Sequence, residues 1–442
     1  MPARPTQSQT EDRDHHHTER IPEKPSLVNL QAIASHTVLP AVAEEQAYYV
    51  LLNVALVSDL PTTQLPLNLC LVLDRSTSMQ GMRLQQTREA TRQIINRLQP
   101  QDAFSLVVFS DRAEVLLPSQ KNIDKAVAKS IASTIRPQGG TEILQGLLAG
   151  MSMIQHGWSE DSVNHIVLLT DGHTYGDEQA CLDQAEWAGQ HHINISSMGI
   201  GEDWHEDLLD GIAALSGGSS TYIDTPRNVI ETFEETLRHL RAIVARDLTM
   251  TATPSPFAEM HQASQVVPYI HRLALQRDEA IRARLGPLGA DQGKALLLEF
   301  RIQKPEPGKQ NLARITVDCD APGQAEYRPW ETIDLDLEFK EDARASSQIP
   351  SAVVTVLGRL ALYSMQEKVQ ADLDAGEIDR ATQRLEALAT RLLHLGDVDL
   401  ARSASLEAGR LARSGSLSDE GRKKIRYGTR YLSLATQAID RD

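Results

Sequence analysis

The sequence predicts an α/β fold in which a doubly wound, mainly parallel sheet is inserted into an antiparallel β-sandwich and followed by a C-terminal helical hairpin or bundle. Short apolar runs alternate with helical periodicity through the middle of the chain, which indicates a parallel sheet covered on both faces. Strands with one polar face, typical of antiparallel sheets, occur outside that segment. Apolar residues at helical spacing recur near the C-terminus.

The composition is that of an acidic chain with enough apolar residues for several cores. Its 442 residues are 41% hydrophobic, and 44 Lys and Arg against 60 Asp and Glu give a formal net charge of −16. This charge argues against a nucleic-acid-binding protein, because phosphate contacts need clustered Lys and Arg. The three cysteines are far apart and predict a reducing, cytoplasmic environment. No run of about 18 apolar residues occurs, so we expect no membrane span.

The first part of the chain divides by composition. Residues 1–26 are polar and contain prolines, without the apolar core of a signal peptide, and we expect a disordered tail. Residues 27–62 contain one clear strand, "AYYVLLNVALVS". A strand without partners is not stable. We therefore expect it to pair with residues 247–342, where "ALLLEFRIQ" and "TIDLDLEFK" alternate apolar and polar positions.

The segment between these strands, residues 63–246, is then an insertion with its own fold. The buried strand "LNLCLVL" precedes the amphipathic helix "RLQQTREATRQIINRL". The strands "AFSLVVFS", "NHIVLLT" and "NISSMGI" follow, with helical segments such as "TEILQGLLAGMSMI" between them. This alternation predicts a doubly wound domain.

Residues 343–442 are predicted to be helical. A narrow apolar seam with spacings of three and four residues supports this prediction. The seam consists of Ile378, Ala381, Leu385, Leu388, Leu392 and Leu395. A helical hairpin or a small bundle is the expected arrangement.

Oxygen-bearing side chains follow three points where the predicted sheet ends. Asp74, Ser76 and Ser78 follow the first strand of the insertion, Thr141 follows "PQGG", and Asp171 follows "HIVLLT". Ligands of doubly wound sheets bind beyond the carboxyl ends of the strands, so we expect these side chains to meet. Two carboxylates and three hydroxyls suit a hard cation, Mg²⁺ first and Mn²⁺ as the alternative. A single Asp or Ser could instead cap the next helix, but the complete set favours a metal site.

The segments "DRSTS", "GGT" and "LLTDG" resemble the metal-ion-dependent adhesion site of von Willebrand factor type A (VWA) domains. The resemblance extends from Leu67 to Val244. It implies that the two serines and the threonine ligate the metal, and that the two aspartates bind directly or through water. It also implies a protein partner that offers a Glu or Asp carboxylate to the open coordination position. The flanking strands and the helical tail are similar to bacterial stand-alone members, and an AAA-type ATPase is one candidate partner.

Three residues next to these segments are candidates for the rim of the site. Glu142 adjoins the threonine, and His173 and Tyr175 follow the second aspartate. They could select a partner, or they could be solvated loop residues. Near the C-terminus the basic segment "GRKKIRYGTRYL" could dock on an acidic partner surface or remain a solvated helix face.

The resemblance favours a metal-dependent protein-interaction module that is not an enzyme. A Mg²⁺-dependent hydrolase is the first alternative, but it would require a nucleophile, a general base or a second metal about 4 Å away. The sequence contains no HExxH motif, phosphate loop or second carboxylate cluster that would supply these. In the second alternative the metal only stabilises a scaffold. Hydroxyl ligands argue against this, because they leave the ion open to a further ligand.

Overall fold

The computed structural model describes residues 24–57, 64–341 and 348–432, and it confirms the predicted fold class. A central α/β unit, a β-sandwich built from chain segments on both sides of it, and a C-terminal group of helices contact one another. Of the predicted disordered tail, residues 1–26, the first 23 residues lie outside the described part of the chain. Two predicted domain boundaries, between 62 and 63 and between 342 and 343, also fall outside them, so the domain limits stay predictions.

The elements of the described chain are numbered here in chain order. The strands are β1 (Val28–Ala34), β2 (Val38–Pro40), β3 (Gln46–Leu56), β4 (Leu67–Asp74), β5 (Ala103–Phe109), β6 (Ala113–Lys121), β7 (Val163–Thr170), β8 (Asn194–Ile200), β9 (Ser220–Ile223), β10 (Ile243–Pro254), β11 (Ala258–Val267), β12 (His271–Arg272), β13 (Gln276–Arg277), β14 (Ile281–Gly289), β15 (Lys294–Ile302), β16 (Gly308–Asp320) and β17 (Trp330–Lys340). The helices are α1 (Met82–Arg97), α2 (Lys125–Ser133), α3 (Ile143–His156), α4 (Glu178–Gln190), α5 (Glu206–Ser216), α6 (Val229–Ala242), α7 (Ser351–Asp374), α8 (Ile378–His394), α9 (Val398–Ser414) and α10 (Asp419–Arg430).

The central unit is a six-stranded sheet in the order β6-β5-β4-β7-β8-β9. Helices α1, α2 and α6 pack on one face, and α3, α4 and α5 pack on the other. Strands β4, β5, β7 and β8 are buried along their whole length, which explains why each is an almost unbroken apolar run in the sequence. Strands β4 and β7 are parallel neighbours, with Leu73 opposite Leu169. Their carboxyl ends therefore meet at one edge of the sheet.

The β-sandwich consists of two sheets, in the orders β1-β3-β15-β11-β12 and β13-β14-β10-β16-β17-β2. Strand β3 pairs antiparallel with β15 over nine residue pairs, and β2 pairs parallel with β17. The segment before the central unit thus completes both sheets of the segment after it, which confirms the insertion. The inner faces of the two sheets share one apolar core.

The described part of the C-terminal region contains four helices, which agrees with the predicted small bundle. Most of the predicted seam is buried in its core, but Leu395 is 56% exposed because α8 ends one residue earlier. The first half of α7 packs on the outer face of the sandwich, where Val353 and Val356 contact Leu51 and Leu297. Among the described residues, no helix has the length and apolar character needed to cross a membrane.

Helix α10 carries the basic segment and lies against α5 of the central unit. The guanidinium groups of Arg426 and Arg430 lie 2.7 and 2.8 Å from the carboxylate of Asp210. The hydroxyl of Tyr427 donates to the same carboxylate at 2.8 Å. The sequence left open whether this basic segment docks on an acidic surface or faces solvent. The structure supports docking, but the acidic surface is α5 of the same chain and not a partner protein.

Candidate metal centre

The five predicted ligands lie on three loops at the carboxyl edge of the central sheet. Asp74 is the last residue of β4, and Asp171 directly follows β7; both are fully buried. Ser76 and Ser78 lie in the single helical turn after β4, and Thr141 lies just before α3. The rule that parallel strands present their carboxyl ends at one edge therefore explains why the loops after β4 and β7 meet. It does not explain the position of Thr141, because the loop of Thr141 follows helix α2 and not a strand as predicted.

Four of these residues form one continuous chain of hydrogen bonds. The backbone N–H of Ser76 donates to Asp74 Oδ1 at 2.7 Å. The hydroxyls of Ser76 and Ser78 are 2.9 Å apart, and Ser78 Oγ donates to Asp171 Oδ1 at 2.7 Å. The side-chain oxygens of both serines and of Asp171 are thus adjacent, with the exposed Ser78 on the solvent side.

The spacing of these oxygens fits a small hard cation. Neighbouring ligands of an octahedral Mg²⁺ ion are about 3 Å apart, because each metal–oxygen bond is about 2.1 Å long. The two oxygen–oxygen distances, Ser76 Oγ to Ser78 Oγ at 2.9 Å and Ser78 Oγ to Asp171 Oδ1 at 2.7 Å, are close to this value. Among the described residues, no group of three or more His, Cys, Asp or Glu side chains could hold a metal. A metal at this centre would therefore bind hydroxyl oxygens as well as carboxylates.

Thr141 contacts the loop after β7. A Cβ atom built on Gly172 would lie 2.8 Å from Thr141 Oγ1, so the hydroxyl lies directly against the backbone next to Asp171. A side chain at residue 172 would displace the threonine. The absence of a side chain at Gly172 is thus a requirement of the site.

The two glycines before Thr141 wrap around a carboxylate that the sequence analysis did not identify. Gly139 has a φ of 71°, and a Cβ atom there would clash with Asp111. The N–H of Gly140 donates to Asp111 Oδ1 at 2.8 Å. The carbonyl of Gly139 accepts a hydrogen bond from the N–H of Thr77 at 3.1 Å. Asp111 therefore positions the threonine loop against the serine loop.

Thr170 is a second residue that the sequence analysis missed. Its hydroxyl donates to Asp74 Oδ2 at 2.5 Å and accepts from the N–H of Gly172 at 3.2 Å. Burial raises the pKa of Asp74 to about 6, although the hydrogen bonds from Thr170 and Ser76 oppose this shift. Without a cation, the Asp74 carboxylate is thus held in an environment that disfavours its charge. A threonine at a strand end is ordinary in sequence, so nothing there marked this role.

Arg83 is the third missed residue, and it brings a positive charge to the ligands. Its Nη1 lies 2.5 Å from Asp171 Oδ2 and 3.4 Å from the carbonyl oxygen of Ser78. The arginine side chain is 28% exposed, whereas that of Asp171 is fully buried. The guanidinium therefore neutralises Asp171 in the metal-free protein and competes with a metal for that carboxylate.

Replacing Arg83 by Met is expected to raise the affinity for Mg²⁺ by roughly tenfold, because the ion then no longer displaces a charged hydrogen bond. Calorimetric titration of the wild type and the variant with Mg²⁺ measures this. Arg92→Met is the matched control, because Arg92 lies on the same helix with a side chain 48% exposed. A weaker affinity of Arg83→Met would mean that the arginine supports the ligands.

The three predicted rim residues lie on the loops that carry Thr141 and Asp171. Glu142 is exposed and immediately precedes α3. The rings of His173 and Tyr175 stack with centroids 6.2 Å apart, and Tyr175 is 85% exposed. His173 also contacts His205, at 5.9 Å, and burial, followed by the charge of His205, lowers the pKa of His173. The rim is thus one carboxylate and a pair of rings that a partner could contact.

Two protein families match different parts of the chain. Residues 68–236 match the family described as von Willebrand factor type A domain. Residues 351–435 match the family described as Sll0103-like, C-terminal alpha-helical domain. "Uncharacterized protein sll0103" from Synechocystis sp. is 30% identical over 407 residues, which are 90% of this chain and 96% of that protein. The similarity to this relative therefore includes the sandwich and the C-terminal helices.

Two further proteins are similar to this chain, one over a shorter part of it and one at a lower sequence identity. Human inter-alpha-trypsin inhibitor heavy chain H4 is 34% identical over 169 residues, which are 35% of this chain but 18% of that protein. A solved structure, the von Willebrand factor type A protein from Catenulispora acidiphila, has a TM-score of 0.76 and 17% identity, and covers 94% of this chain and 99% of its own. At 17% identity, the similarity to the Catenulispora acidiphila structure supports the fold alone.

Proposed function

This chain belongs to the family of Sll0103-like proteins with a von Willebrand factor type A domain, and we propose that it binds a partner protein through a Mg²⁺-dependent adhesion site. VWA domains generally mediate metal-dependent protein interactions and are not, as a class, enzymes. The observation that carries the proposal is the hydrogen-bonded group of Asp74, Ser76, Ser78 and Asp171, in which both serine hydroxyls lie beside the Asp171 carboxylate and Ser78 is exposed to solvent.

The donor set suggests what the partner supplies. Asp74, Ser76, Ser78, Thr141 and Asp171 would hold the ion, whose two positive charges the two aspartates would balance. When bound, Mg²⁺ supplies an electrophilic centre that accepts one more oxygen ligand. Because hydroxyl oxygens are weak donors, the ion would still need this further oxygen ligand, and an Asp or Glu of the partner would supply it. The aromatic pair at the rim and Glu142 would then contact the residues around that carboxylate.

Charge supports selection at short range. The chain carries a net charge of −16, so long-range attraction of an acidic partner is not expected. Arg83 is a cation next to the ligands, and its guanidinium could pair with the partner carboxylate once Asp171 turns to the metal. An AAA-type ATPase as the partner and a cytoplasmic location stay predictions.

The proposal predicts that partner binding requires both Mg²⁺ and the hydroxyl of Thr141. Affinity capture from a lysate of the source cells, in Mg²⁺ and in EDTA, identifies the metal-dependent partner. Thr141→Ala should weaken that partner's binding about tenfold, because one donor is lost without a change in charge. EDTA should release the partner while the chain stays folded in a melting experiment. Binding that survives both treatments would mean that the partner docks elsewhere and that the metal is structural.

A further inference from the structure

A cavity of about 630 Å³ lies where the central unit, the sandwich and helix α10 meet. His165 of β7, Gln265 and Lys294 of the sandwich, and Arg430 of α10 all line it. His165 precedes Asp171 by six residues on one extended strand, which separates the cavity from the metal centre by about 20 Å. The cavity is thus a separate feature at the opposite end of the central sheet, and the inference drawn from it does not rest on the proposed function.

Lys294 brings an uncompensated positive charge into this cavity. Its Nζ lies 3.4 Å from Gln265 Oε1, and no carboxylate within ion-pair distance is found among the described residues. Every other Lys and Arg that lines the cavity has an acidic partner. These pairs are Arg284 with Asp247, Lys424 with Glu420, and Arg430 with Asp210. Burial lowers the pKa of Lys294 to about 8, which shows how little the surroundings support its charge.

Polar atoms without hydrogen-bond partners line the same cavity. His165 is 3% exposed, and its Nδ1 has no partner in the described chain, although its Nε2 is 2.9 Å from Ser196 Oγ. The Nδ1 of His271 likewise has no partner in the described chain. Burial, followed by the charges of Arg430 and Lys294, lowers the pKa of His271 to about 3, and all three residues line the cavity. A buried polar atom without a partner is costly, so these atoms indicate a ligand with several acceptor oxygens.

The acidic residues of the lining do not neutralise this basic group. Asp291 and Glu235 lie 2.7 and 3.7 Å from the ring of His239, and Asp224 accepts a hydrogen bond from Asn228 Nδ2 at 2.7 Å. None of the three lies within ion-pair distance of Lys294 in the described part of the chain. Apolar and aromatic residues, including Tyr269, Leu285 and others, form much of the remaining wall. The cavity therefore has a basic part, around Lys294, and an apolar part.

We propose that this cavity binds a small organic anion, with a carboxylate or phosphate group on an apolar or aromatic body. The anion pairs with Lys294, and the side-chain amide of Gln265 and the Nδ1 atoms of His165 and His271 donate hydrogen bonds to it. The volume lies within the range of about 300–1,000 Å³ that is common for small-molecule sites. Because all three parts of the chain line the cavity, the bound anion also strengthens their association.

The test uses the full chain in EDTA, so that the metal centre plays no part, with anilinonaphthalene sulfonate as the fluorescent aromatic anion. We expect saturable binding of one probe per chain, displaced by phenyl phosphate or benzoate but not by uncharged benzyl alcohol. The stronger of the two anions identifies the head group that the site prefers. Failure to bind the probe, or equal displacement by benzyl alcohol, would overturn the proposal.

Lys294→Met should weaken probe binding at least tenfold. The variant should fold, because it removes a partly buried charge that has no counter-ion, and its melting curve checks this. Lys309→Met is the matched control, since Lys309 lies in the same sandwich with a side chain 72% exposed, and it should bind the probe like the wild type. If Lys294→Met does not fold, Lys294→Gln replaces it in the same comparison. Unchanged binding by the folded variant would also overturn the proposal.

Discussion

The Asp74→Asn variant is expected to lose Mg²⁺ binding by about 100-fold or more while its metal-free form stays as stable as the wild type, or becomes more stable. Asparagine keeps an oxygen that can accept from the N–H of Ser76, and its amide can donate to the hydroxyl of Thr170. The substitution removes one of the two charges that would balance the ion. It also removes the charge that burial opposes in the metal-free protein.

The sign of the stability effect follows from the pKa of Asp74. Burial raises this pKa to about 6 in the folded chain, above the ordinary value of 3.8. Between these two values the folded state binds more protons than the unfolded state. The free energy of unfolding of the metal-free chain should therefore decrease as the pH rises from 4 to 6, by on the order of 3 kcal/mol. Asp74→Asn should not show this decrease.

Calorimetric titration with Mg²⁺ and denaturant unfolding in EDTA at several pH values measure the two effects. Asp183→Asn is the matched control, because Asp183 is an exposed carboxylate of the same unit that accepts a hydrogen bond from Gln179. The control should leave both quantities unchanged. Retained Mg²⁺ affinity in Asp74→Asn would place the metal site elsewhere. A large loss of stability in EDTA would mean that the Asp74 charge supports the metal-free fold.

The meeting of Asp74, the two serines and Asp171 at one edge of the sheet could be predicted because strand ends are visible in a sequence. Strand β4 is an eight-residue buried strand that ends in Asp74, and β7 is another that leads into Asp171. Such continuous apolar runs occur when a strand is covered on both faces, and the parallel sheet then brings their ends together. Local pattern and one topological rule were sufficient for these positions.

Arg83 and Asp111 could not be predicted because their roles depend on contacts between loops and helices. Arg83 reads as a polar position on the surface of α1, yet its guanidinium reaches Asp171, 88 residues later. Asp111 lies in the short turn between β5 and β6 and binds the backbone of Gly140. The side chains face neighbours that a sequence pattern does not identify. Strands β11 and β14 could not be predicted for a different reason. Register shifts in their pairing interrupt the alternation of apolar and polar residues.

The location of α10 could not be decided from the sequence. A basic helix could face solvent, a partner or the chain itself, and its charge pattern is the same in each case. Its role is decided by α5, which presents Asp210 with a side chain 15% exposed to two arginines and a tyrosine. The largest effect on stability that we expect from a single substitution in this region follows from this arrangement.

Asp210→Ala is expected to destabilise the docking of α10 by about 3–5 kcal/mol, because it leaves buried guanidinium groups without a counter-ion. The side chain of Arg430 is 9% exposed, and it would lose its only recorded acidic partner among the described residues. Burial raises the pKa of Asp210, but Arg430 and Arg426 outweigh it and hold that pKa below the ordinary value of 3.8. The folded state thus releases this proton more readily than the unfolded state. The contribution of Asp210 is present at neutral pH and is lost as the pH falls below 3.8.

Hydrogen exchange of the amides of α10, with denaturant unfolding in parallel, measures this effect. Asp207→Ala is the matched control, because Asp207 lies one turn earlier on α5 and also binds Arg426, at 2.7 Å, but its side chain is 73% exposed. Exposed ion pairs contribute about 0–1 kcal/mol, so the control should leave the exchange of α10 almost unchanged. Equal protection of α10 in both variants would show that apolar contacts hold the helix and that the cluster around Asp210 contributes little. Rapid exchange confined to α10 in Asp210→Ala, with the central sheet still protected, would show that the ion-pair cluster joins the C-terminal helices to the VWA domain.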